Sequence, residues 1–205
     1  MAIAVMRKIQ EGGCAVRNGK TSAGLVGTEI CGRTVGIVGC GQIGFKTARL
    51  FHAFGAEVLA YARHEKEEWK EAGIRYADMD TLLKESDIVS LHLPLNEGTK
   101  GFFDGTMIGK MKKDAILINC ARGPIVDNAA LAEALNEDKI AGAAIDVFDM
   151  EPPIPADYPL CHAKNILLTP HVAFATKEAM VRRAKIEFDN VYAYLNGKPE
   201  NLCKI

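Results

Sequence analysis

Short apolar runs alternate with amphipathic stretches along most of the chain. The runs are rich in Val, Ile, Leu and Ala and have the length of buried strands, whereas the stretches between them place apolar residues at helical spacing. This alternation predicts an α/β fold, a doubly wound parallel sheet with helices on both faces. Predicted strands cover residues 35–38, 57–61, 74–76, 87–93, 115–119, 140–147 and 166–168, and predicted helices cover 42–54, 65–72, 79–85, 106–111, 128–136 and 175–195.

The first 33 residues do not follow this alternation. Apolar residues recur at helical spacing over residues 1–10, which predicts a helix, and Gly12 and Gly13 are expected to end it. Residues 14–33 are rich in glycine and lack a clear period, which indicates a linker. A lone domain offers no partner for the apolar stripe of the opening helix, which consists of Ile3, Met6 and Ile9.

A glycine-rich turn follows the strand predicted at 35–38. Residues 39–44 lie between a strand and a helix, which is the context that the dinucleotide-binding fingerprint requires. Gly39 lets the strand turn sharply, Gly41 lets backbone approach a pyrophosphate, and Gly44 lets the helix pack close to the strand. The N-terminus of that helix offers N–H groups to the phosphates. The turn therefore predicts a Rossmann-type dinucleotide-binding domain rather than an ordinary glycine turn.

The residues after the second strand bear on the choice of cofactor. A dinucleotide with a free ribose 2′-hydroxyl is usually bound there by an acidic residue. Ala62 occupies this place, and Arg63 and His64 follow it. An arginine favours a 2′-phosphate, whereas an acid would repel one. The sequence therefore favours NADP over NAD, unless Arg63 and His64 are only exposed loop residues.

Three further loops at strand ends carry residues suited to acid–base chemistry. Ligands of such sheets bind outside the carboxyl ends of the strands. Arg122 suits a carboxylate, because a guanidinium group can bind it with two hydrogen bonds. His171 can move a proton, and Glu151 can hold its imidazole and favour the charged form. Each residue could be structural on its own, but together they form a workable catalytic site.

Charge and cysteine content narrow the range of partners. The net charge of −1 gives no electrostatic reason to expect a nucleic acid or an anionic membrane as partner. No apolar run reaches the length of a membrane span, and the first residues lack the pattern of a signal peptide. The six cysteines show no metal-ligand spacing, which predicts reduced thiols in a cytoplasmic protein without a metal site.

Five motifs together resemble the D-isomer-specific 2-hydroxyacid dehydrogenases, which include 3-phosphoglycerate dehydrogenase, glyoxylate and hydroxypyruvate reductases and D-lactate dehydrogenase. Arg122, Glu151 and His171 are separated by family-like intervals of 29 and 20 residues. The resemblance implies an oxidoreductase that transfers a hydride between NAD or NADP and a small 2-hydroxy or 2-keto acid. The motifs occupy residues 39–44, 90–95, 118–123, 146–152 and 169–171.

The resemblance also implies roles for individual residues. Arg122 binds the substrate carboxylate and polarises its carbonyl group, His171 is the acid in keto-acid reduction and the base in the reverse reaction, and Glu151 pairs with His171. Arg122 and His171 also border the cofactor. Further implied cofactor contacts are Gln42 and Ile43 at the pyrophosphate, Leu93, Pro94 and Thr99 along the cleft, Cys120 and Ala121 beside the nicotinamide ribose, and Asp146 at the nicotinamide amide.

Two departures from the family pattern modify these expectations. The acid at position 62 is missing, and the family's substrate domain, which normally precedes the opening helix, is expected to be largely absent. The chain alone is therefore expected to be poorly active. The expected domains are an interdomain or dimer helix with a linker over 1–33, the dinucleotide-binding domain over 34–196, and a tail toward the substrate domain over 197–205.

The resemblance leaves two kinds of function open. Family members pack the opening helix across a two-fold contact, so a homodimeric enzyme is expected. The alternative is a non-catalytic, dinucleotide-gated dimeric binding module like the corepressors of the same superfamily. Such a module can retain Arg122, Glu151 and His171, so these residues do not decide between the two.

Overall fold

A computed structural model describes residues 1–202 and contains one seven-stranded sheet. In chain order the strands are β1 Thr34–Val38, β2 Glu57–Tyr61, β3 Arg75–Tyr76, β4 Ile88–Leu91, β5 Ile116–Asn119, β6 Gly142–Ile145 and β7 Ile166–Leu168. Their spatial order is β3-β2-β1-β4-β5-β6-β7, and every neighbouring pair is parallel. The predicted doubly wound parallel sheet is confirmed. The chain reverses its direction across the sheet between β1 and β4, where such folds bind ligands.

Helices connect the strands, and side chains cap the first turns of several of them. Asp78, Asp104 and Asp127 accept hydrogen bonds from backbone N–H groups in the first turns of three of them. The elements predicted from residue 34 onward are confirmed, with ends that shift by at most two residues. The helices are α1 Ala2–Met6, α2 Ile9–Arg17, α3 Gln42–Ala53, α4 Glu67–Glu71, α5 Met79–Glu85, α6 Gly105–Gly109, α7 Asn128–Asn136 and α8 Lys177–Leu195, with 3₁₀ turns at Gly123–Ile125 and Pro159–His162.

Two apolar cores cover the two faces of the sheet. Because side chains alternate along a strand, Ile37 joins one core and Val38 the other. The first core contains buried residues of α1, α3 and α4, including Trp69. The second contains buried residues of α5, α6 and α7, including Leu83 and Leu131. The strands are therefore apolar on both faces and leave their carboxyl ends as the place for polar chemistry.

The N-terminal segment differs from its prediction. The single helix predicted over residues 1–10 is interrupted at Lys8, whose φ of 49° is left-handed. α2 then runs through Gly12 and Gly13 to Arg17, so the expected helix end at these glycines and the linker start at residue 14 were wrong. Glycine weakens a helix by about 1 kcal/mol relative to alanine but does not prevent one. The N–H of Gly12 keeps its hydrogen bond to the carbonyl oxygen of Lys8 at 2.8 Å.

The apolar stripe of the opening helix is covered in part by the domain itself. α1 contacts β5, β6 and β7, and Ala2 and Met6 are buried. Ile3 and Ile9 remain exposed, at 44% and 55% of their surface. The expectation that a lone domain leaves the whole stripe without a partner was therefore wrong for Met6 and right for the two isoleucines.

The chain divides into two compact units, one of Met1–His171 and one from Val172 onward. The second unit contains α8, whose first turn is capped by the hydroxyl of Thr176. No helix within residues 1–202 has the length and apolar character that a membrane span requires. The five cysteines in that range are free thiols, and Cys203 lies outside the described residues.

Candidate active site

The predicted site residues line the carboxyl edge of the sheet. From β2 to β7, the sheet order places residues 62–64, the glycine turn, residues 93–94, residues 120–122, Asp146 and His171 along this edge. Arg63 and His171 therefore lie toward opposite ends of it. Two strand spacings, about 10 Å, separate β5 from β7. A small molecule can thus lie between Arg122 and His171.

The glycine turn has the conformation that its sequence predicts. Gly39 has a φ of 108°, and a Cβ atom there would lie 2.6 Å from the carbonyl oxygen of His92. A Cβ atom on Gly44 would overlap the carbonyl oxygen of Gly39, so α3 and β1 pack against each other only with glycine at this position. At Gly41, no heavy atom lies within 4 Å of the Cβ position. The steric roles predicted for Gly39 and Gly44 are confirmed, and the open side of the turn is at Gly41.

The first turn of α3 suits an anionic pyrophosphate. No side chain caps this helix at Gly41, and no acidic residue lies in its first turn. Its backbone N–H groups and its partial positive charge are thus available to an anion. Gln42 begins the helix, and Ile43 is 73% exposed beside the open Gly41. These residues fit a dinucleotide, whose pyrophosphate the backbone from Gly41 to Ile43 would hold.

His92 lies beneath this turn, and its contribution was not foreseen from the sequence. Its backbone N–H extends the β1–β4 ladder by donating to the carbonyl oxygen of Val38 at 2.8 Å. Its ring nitrogen Nε2 lies 3.0 Å from the hydroxyl oxygen of Ser90. Burial lowers the pKa of His92 from 6.5 to about 4. The imidazole is therefore neutral at pH 7 and adds no charge beneath the turn.

The buried imidazole of His92 makes stability depend on pH. Between pH 6.5 and pH 4 the unfolded chain protonates this residue and the folded chain does not, so the free energy of unfolding falls as the pH falls. A shift of this size corresponds to about 3 kcal/mol. In urea titrations, His92→Gln should lose less stability than wild type over this window. The exposed residue His52 supplies the control His52→Gln, and an equal loss in wild type and His92→Gln would contradict the assignment.

The loop after β5 is held in place by a buried asparagine. The side chain of Asn119 accepts a hydrogen bond from the N–H of Ala121 and donates one to the carbonyl oxygen of Arg122, both at 3.0 Å. Arg122 is exposed, and its Nη1 donates to the carbonyl oxygen of Ala121 at 2.7 Å. Burial raises the pKa of Cys120 to about 11, so this residue presents a neutral thiol. The sequence motif contains Asn119, but its supporting role follows only from these contacts.

The loops after β6 and β7 are joined by hydrogen bonds. The buried Asp146 accepts a hydrogen bond from the hydroxyl of Thr169 at 2.5 Å. The N–H of His171 donates to the carbonyl oxygens of Asp146 and Thr169, at 2.8 Å and 3.0 Å. His171 has a φ of 57°, a left-handed conformation that few residues other than glycine adopt. The backbone around Asp146 thus fixes the direction of the His171 side chain.

His171 and Glu151 form the pair that the sequence predicts. Nδ1 of His171 lies 3.2 Å from Oε2 of Glu151, and the two side chains are 31% and 78% exposed. Exposed ion pairs contribute only about 0–1 kcal/mol to stability. The contact therefore contributes little to the stability of the domain.

The remaining predicted residues lie on two flanking loops. Thr99 donates its hydroxyl to the carbonyl oxygen of Pro94 at 2.6 Å and accepts the N–H of Asn96 at 2.9 Å, so it closes the loop that begins at Leu93. After β2, Ala62 is half-buried, whereas Arg63 and His64 are exposed. The structure thus brings all predicted residues to one edge, with Arg63 and His64 at its β2 end.

Comparisons with known proteins agree with this geometry. The family model for the D-isomer specific 2-hydroxyacid dehydrogenase, NAD binding domain, matches residues 1–173. A glyoxylate reductase of Korarchaeum cryptofilum is 41% identical over 98% of this chain and 63% of its own length. The crystal structure of D-lactate dehydrogenase with NAD⁺ from Lactobacillus jensenii is 37% identical, with a TM-score of 0.87 over 100% of this chain and 66% of that one. An acyclic imino acid reductase in complex with NADPH and D-Arg is 32% identical, with a TM-score of 0.89 over 100% of this chain and 65% of that one.

The chain spans about three fifths of the length of the curated glyoxylate reductases it matches first. The match covers the whole parallel sheet and the residues at its carboxyl edge. This chain therefore belongs to the D-isomer-specific 2-hydroxyacid dehydrogenase family and contains its NAD-binding domain.

Proposed function

We propose that this chain is the cofactor-binding part of an NADP-dependent reductase of small 2-keto acids, acting reversibly on the corresponding 2-hydroxy acids. The observation that carries the proposal is the His171–Glu151 pair at 3.2 Å, on the sheet edge that also bears Arg122 and the open Gly41. The relatives reported above are named reductases and dehydrogenases, which favours catalysis over a non-catalytic, corepressor-like module.

The proposed reaction assigns a separate role to the cofactor, to Arg122 and to His171. A bound nicotinamide dinucleotide supplies the hydride in reduction and accepts it in oxidation. Arg122 binds the substrate carboxylate and fixes the carbonyl group for attack. With Nδ1 of His171 held by Glu151, transfer of a proton to the carbonyl oxygen falls to Nε2. Hydride on the carbonyl carbon and this proton on the oxygen together give the 2-hydroxy acid, and oxidation reverses both transfers.

Turnover of keto acids tests this proposal. Initial rates of NADPH oxidation would be measured with glyoxylate, hydroxypyruvate and pyruvate, for the 205-residue chain and for the chain joined to the substrate domain of a relative. Positioning of the reactants accounts for roughly 7–11 kcal/mol of a barrier. Slow turnover is therefore expected from the chain alone and a large gain from the joined protein. Family-like rates from the chain alone would contradict the expected need for a second domain, and inactivity of both proteins would contradict the function.

The preference for NADP over NAD rests on the loop after β2. Ala62 leaves no carboxylate to repel a 2′-phosphate, and the exposed Arg63 can pair with one. A hydrogen bond to a charged group is worth about 1.5–3 kcal/mol, or about ten- to a hundredfold in affinity. Ala62→Asp should therefore move the preference toward NAD by a factor in this range.

Equilibrium titration with both reduced cofactors measures that shift. Ala62→Asn is the matched control, because it adds nearly the same volume as aspartate without the charge. If Ala62→Asn shifts the preference as much as Ala62→Asp, bulk rather than charge decides. Tighter binding of NADH than of NADPH by the wild-type protein would contradict the role given to Arg63.

We further propose that the protein is a cytoplasmic homodimer that binds neither nucleic acid nor membrane. The exposed Ile3 and Phe54, on either side of the buried Ile30, form an apolar surface that a second copy would cover. An isologous contact would cover it in both copies at once. Sedimentation should show a dimer that dissociates on dilution, and a monomer at every concentration would contradict it. The near-neutral charge supports the absence of nucleic-acid and membrane partners, and the free thiols support the cytoplasmic location.

A further inference from the structure

Residues 62–66 form the segment that contains Ala62 and Arg63, on which the proposed cofactor preference rests. The segment begins directly after Tyr61, the last residue of β2, whose carbonyl oxygen accepts the N–H of Gly39 at 3.0 Å. The same oxygen accepts the thiol of Cys40, with the sulfur 3.6 Å away. Burial raises the pKa of Cys40 to about 11, so its sulfur keeps the proton that it donates. The start of the segment is therefore fixed relative to the turn that suits a pyrophosphate.

The end of the segment is held by a tyrosine from another strand. The hydroxyl of Tyr76, the last residue of β3, accepts the N–H of Lys66 at 2.9 Å. Burial raises the pKa of Tyr76, and its interaction with the Cys40 thiol adds to this increase. Two further contacts lie near this end. The carbonyl oxygen of Lys66 accepts the N–H of Trp69 at 3.1 Å, and Glu65 forms an exposed ion pair with Lys70, which solvent screens.

An aromatic row fixes the ring of Tyr76. Its centroid lies 6.3 Å from that of Trp69, which is fully buried, and Trp69 lies 5.2 Å from Phe45. Phe45 directly follows Gly44, the last glycine of the turn. The tyrosine therefore enters from β3 with its ring anchored in the core and its hydroxyl at the segment.

We propose that Tyr76 is a positioning residue for cofactor choice, whose hydroxyl holds residues 62–66 so that Arg63 faces the ribose 2′ position of the dinucleotide. The proposal rests on the function proposed above. Without the hydroxyl, the end of the segment loses its side-chain anchor and Arg63 samples more conformations before binding. The affinity for the phosphorylated cofactor is therefore lowered, because Arg63 makes its charged contact only with that form.

The test is titration of the 205-residue chain with NADPH and with NADH. Tyr76→Phe keeps the ring and removes the hydroxyl. We expect its affinity for NADPH to fall about three- to tenfold, the range expected for one hydrogen bond, with little change for NADH. Trp69 is the single tryptophan, so unchanged emission would show that the aromatic row is intact. Tyr194→Phe, which removes an exposed hydroxyl from α8, is the control and should leave both affinities unchanged.

A double-mutant cycle separates positioning from general support of the fold. If the hydroxyl acts through Arg63, Tyr76→Phe should have no further effect on NADPH affinity in an Arg63→Ala background. Independent losses, or an equal fall in both affinities, would overturn the proposal and leave Tyr76 a structural role. If wild type binds both cofactors and Tyr76→Phe changes neither affinity, the role given to Tyr76 is wrong, whereas the proposed function is not contradicted. If wild type binds neither cofactor, the inference and the proposed function fail together.

Discussion

Replacing His171 with alanine should lower kcat for keto-acid reduction by about 10²–10⁴-fold, the usual contribution of a positioned general acid. Dinucleotide affinity should be largely retained, because the glycine turn lies at β1 and His171 follows β7, four positions along the sheet order. Initial rates and cofactor titrations on the same samples measure the two effects separately. Glu151→Gln should cost less than His171→Ala, because it keeps an oxygen near Nδ1 and loses only the charge.

A matched histidine control is available for this prediction. His52 is exposed near the end of α3 and has no place at the strand ends, so His52→Ala should leave turnover unchanged. Loss of dinucleotide binding in His171→Ala would instead assign His171 a structural role, consistent with its unusual backbone conformation. Wild-type turnover in His171→Ala would remove it from the mechanism.

Replacing Gly41 with valine should weaken dinucleotide binding by roughly two to four orders of magnitude, while leaving the fold intact. The Cβ position is open and the φ of −82° is ordinary for any residue, so no strain is expected. The new side chain would occupy the approach to the N–H groups at the start of α3. Loss of two hydrogen bonds to a charged pyrophosphate, at about 1.5–3 kcal/mol each, lowers affinity about 10²–10⁴-fold.

Two other glycine variants separate the effect on binding from the effects of added bulk and of lost stability. Gly109→Val is the control for added bulk, because Gly109 at the end of α6 also has an open Cβ position. It should change neither the affinity nor the unfolding temperature. Gly41→Val should lower the affinity and keep the fold, whereas Gly44→Ala should lower the free energy of unfolding. We expect a loss of about 1–3 kcal/mol, because the new Cβ atom would overlap the Gly39 carbonyl oxygen. Normal affinity in Gly41→Val would contradict a pyrophosphate site at this turn.

The parts of the fold with strong local signals could be predicted from the sequence. The β-branched strand before Gly39, the Asp127 cap of α7 and the proline after β7 each fix a boundary through local chemistry. The N-terminal helices could not be predicted in this way. Their break falls at Lys8, and the two glycines after it remain helical. A glycine pair lowers helix propensity, but the N–H of Gly12 still donates to the carbonyl oxygen of Lys8 and the helix continues to Arg17.

The site was predictable to the extent that it depends on topology. In a parallel sheet, residues after successive strands must meet at one edge, which placed Arg122 and His171 there before any contact was known. The supporting residues act through individual hydrogen bonds that leave no periodic signal in the sequence. Asn119 holds the Arg122 loop, Thr169 holds Asp146, and Tyr76 holds the backbone of Lys66. The partners of Thr169 and Tyr76 depend on distances between elements, which the sequence pattern does not encode.

Isotope transfer tests the proposed chemistry most directly. The protein would be mixed with NADPH deuterated at C4 of the nicotinamide and with a 2-keto acid, and the acid product would be analysed by mass spectrometry and chiral chromatography. A single turnover suffices, so slow catalysis is still detected. We expect deuterium at C2 of the D-2-hydroxy acid with wild type, and none within the same time with His171→Ala. No deuterated hydroxy acid from wild type, or transfer to give the L-isomer, would contradict the assignment of this edge of the sheet as a D-2-hydroxyacid dehydrogenase site.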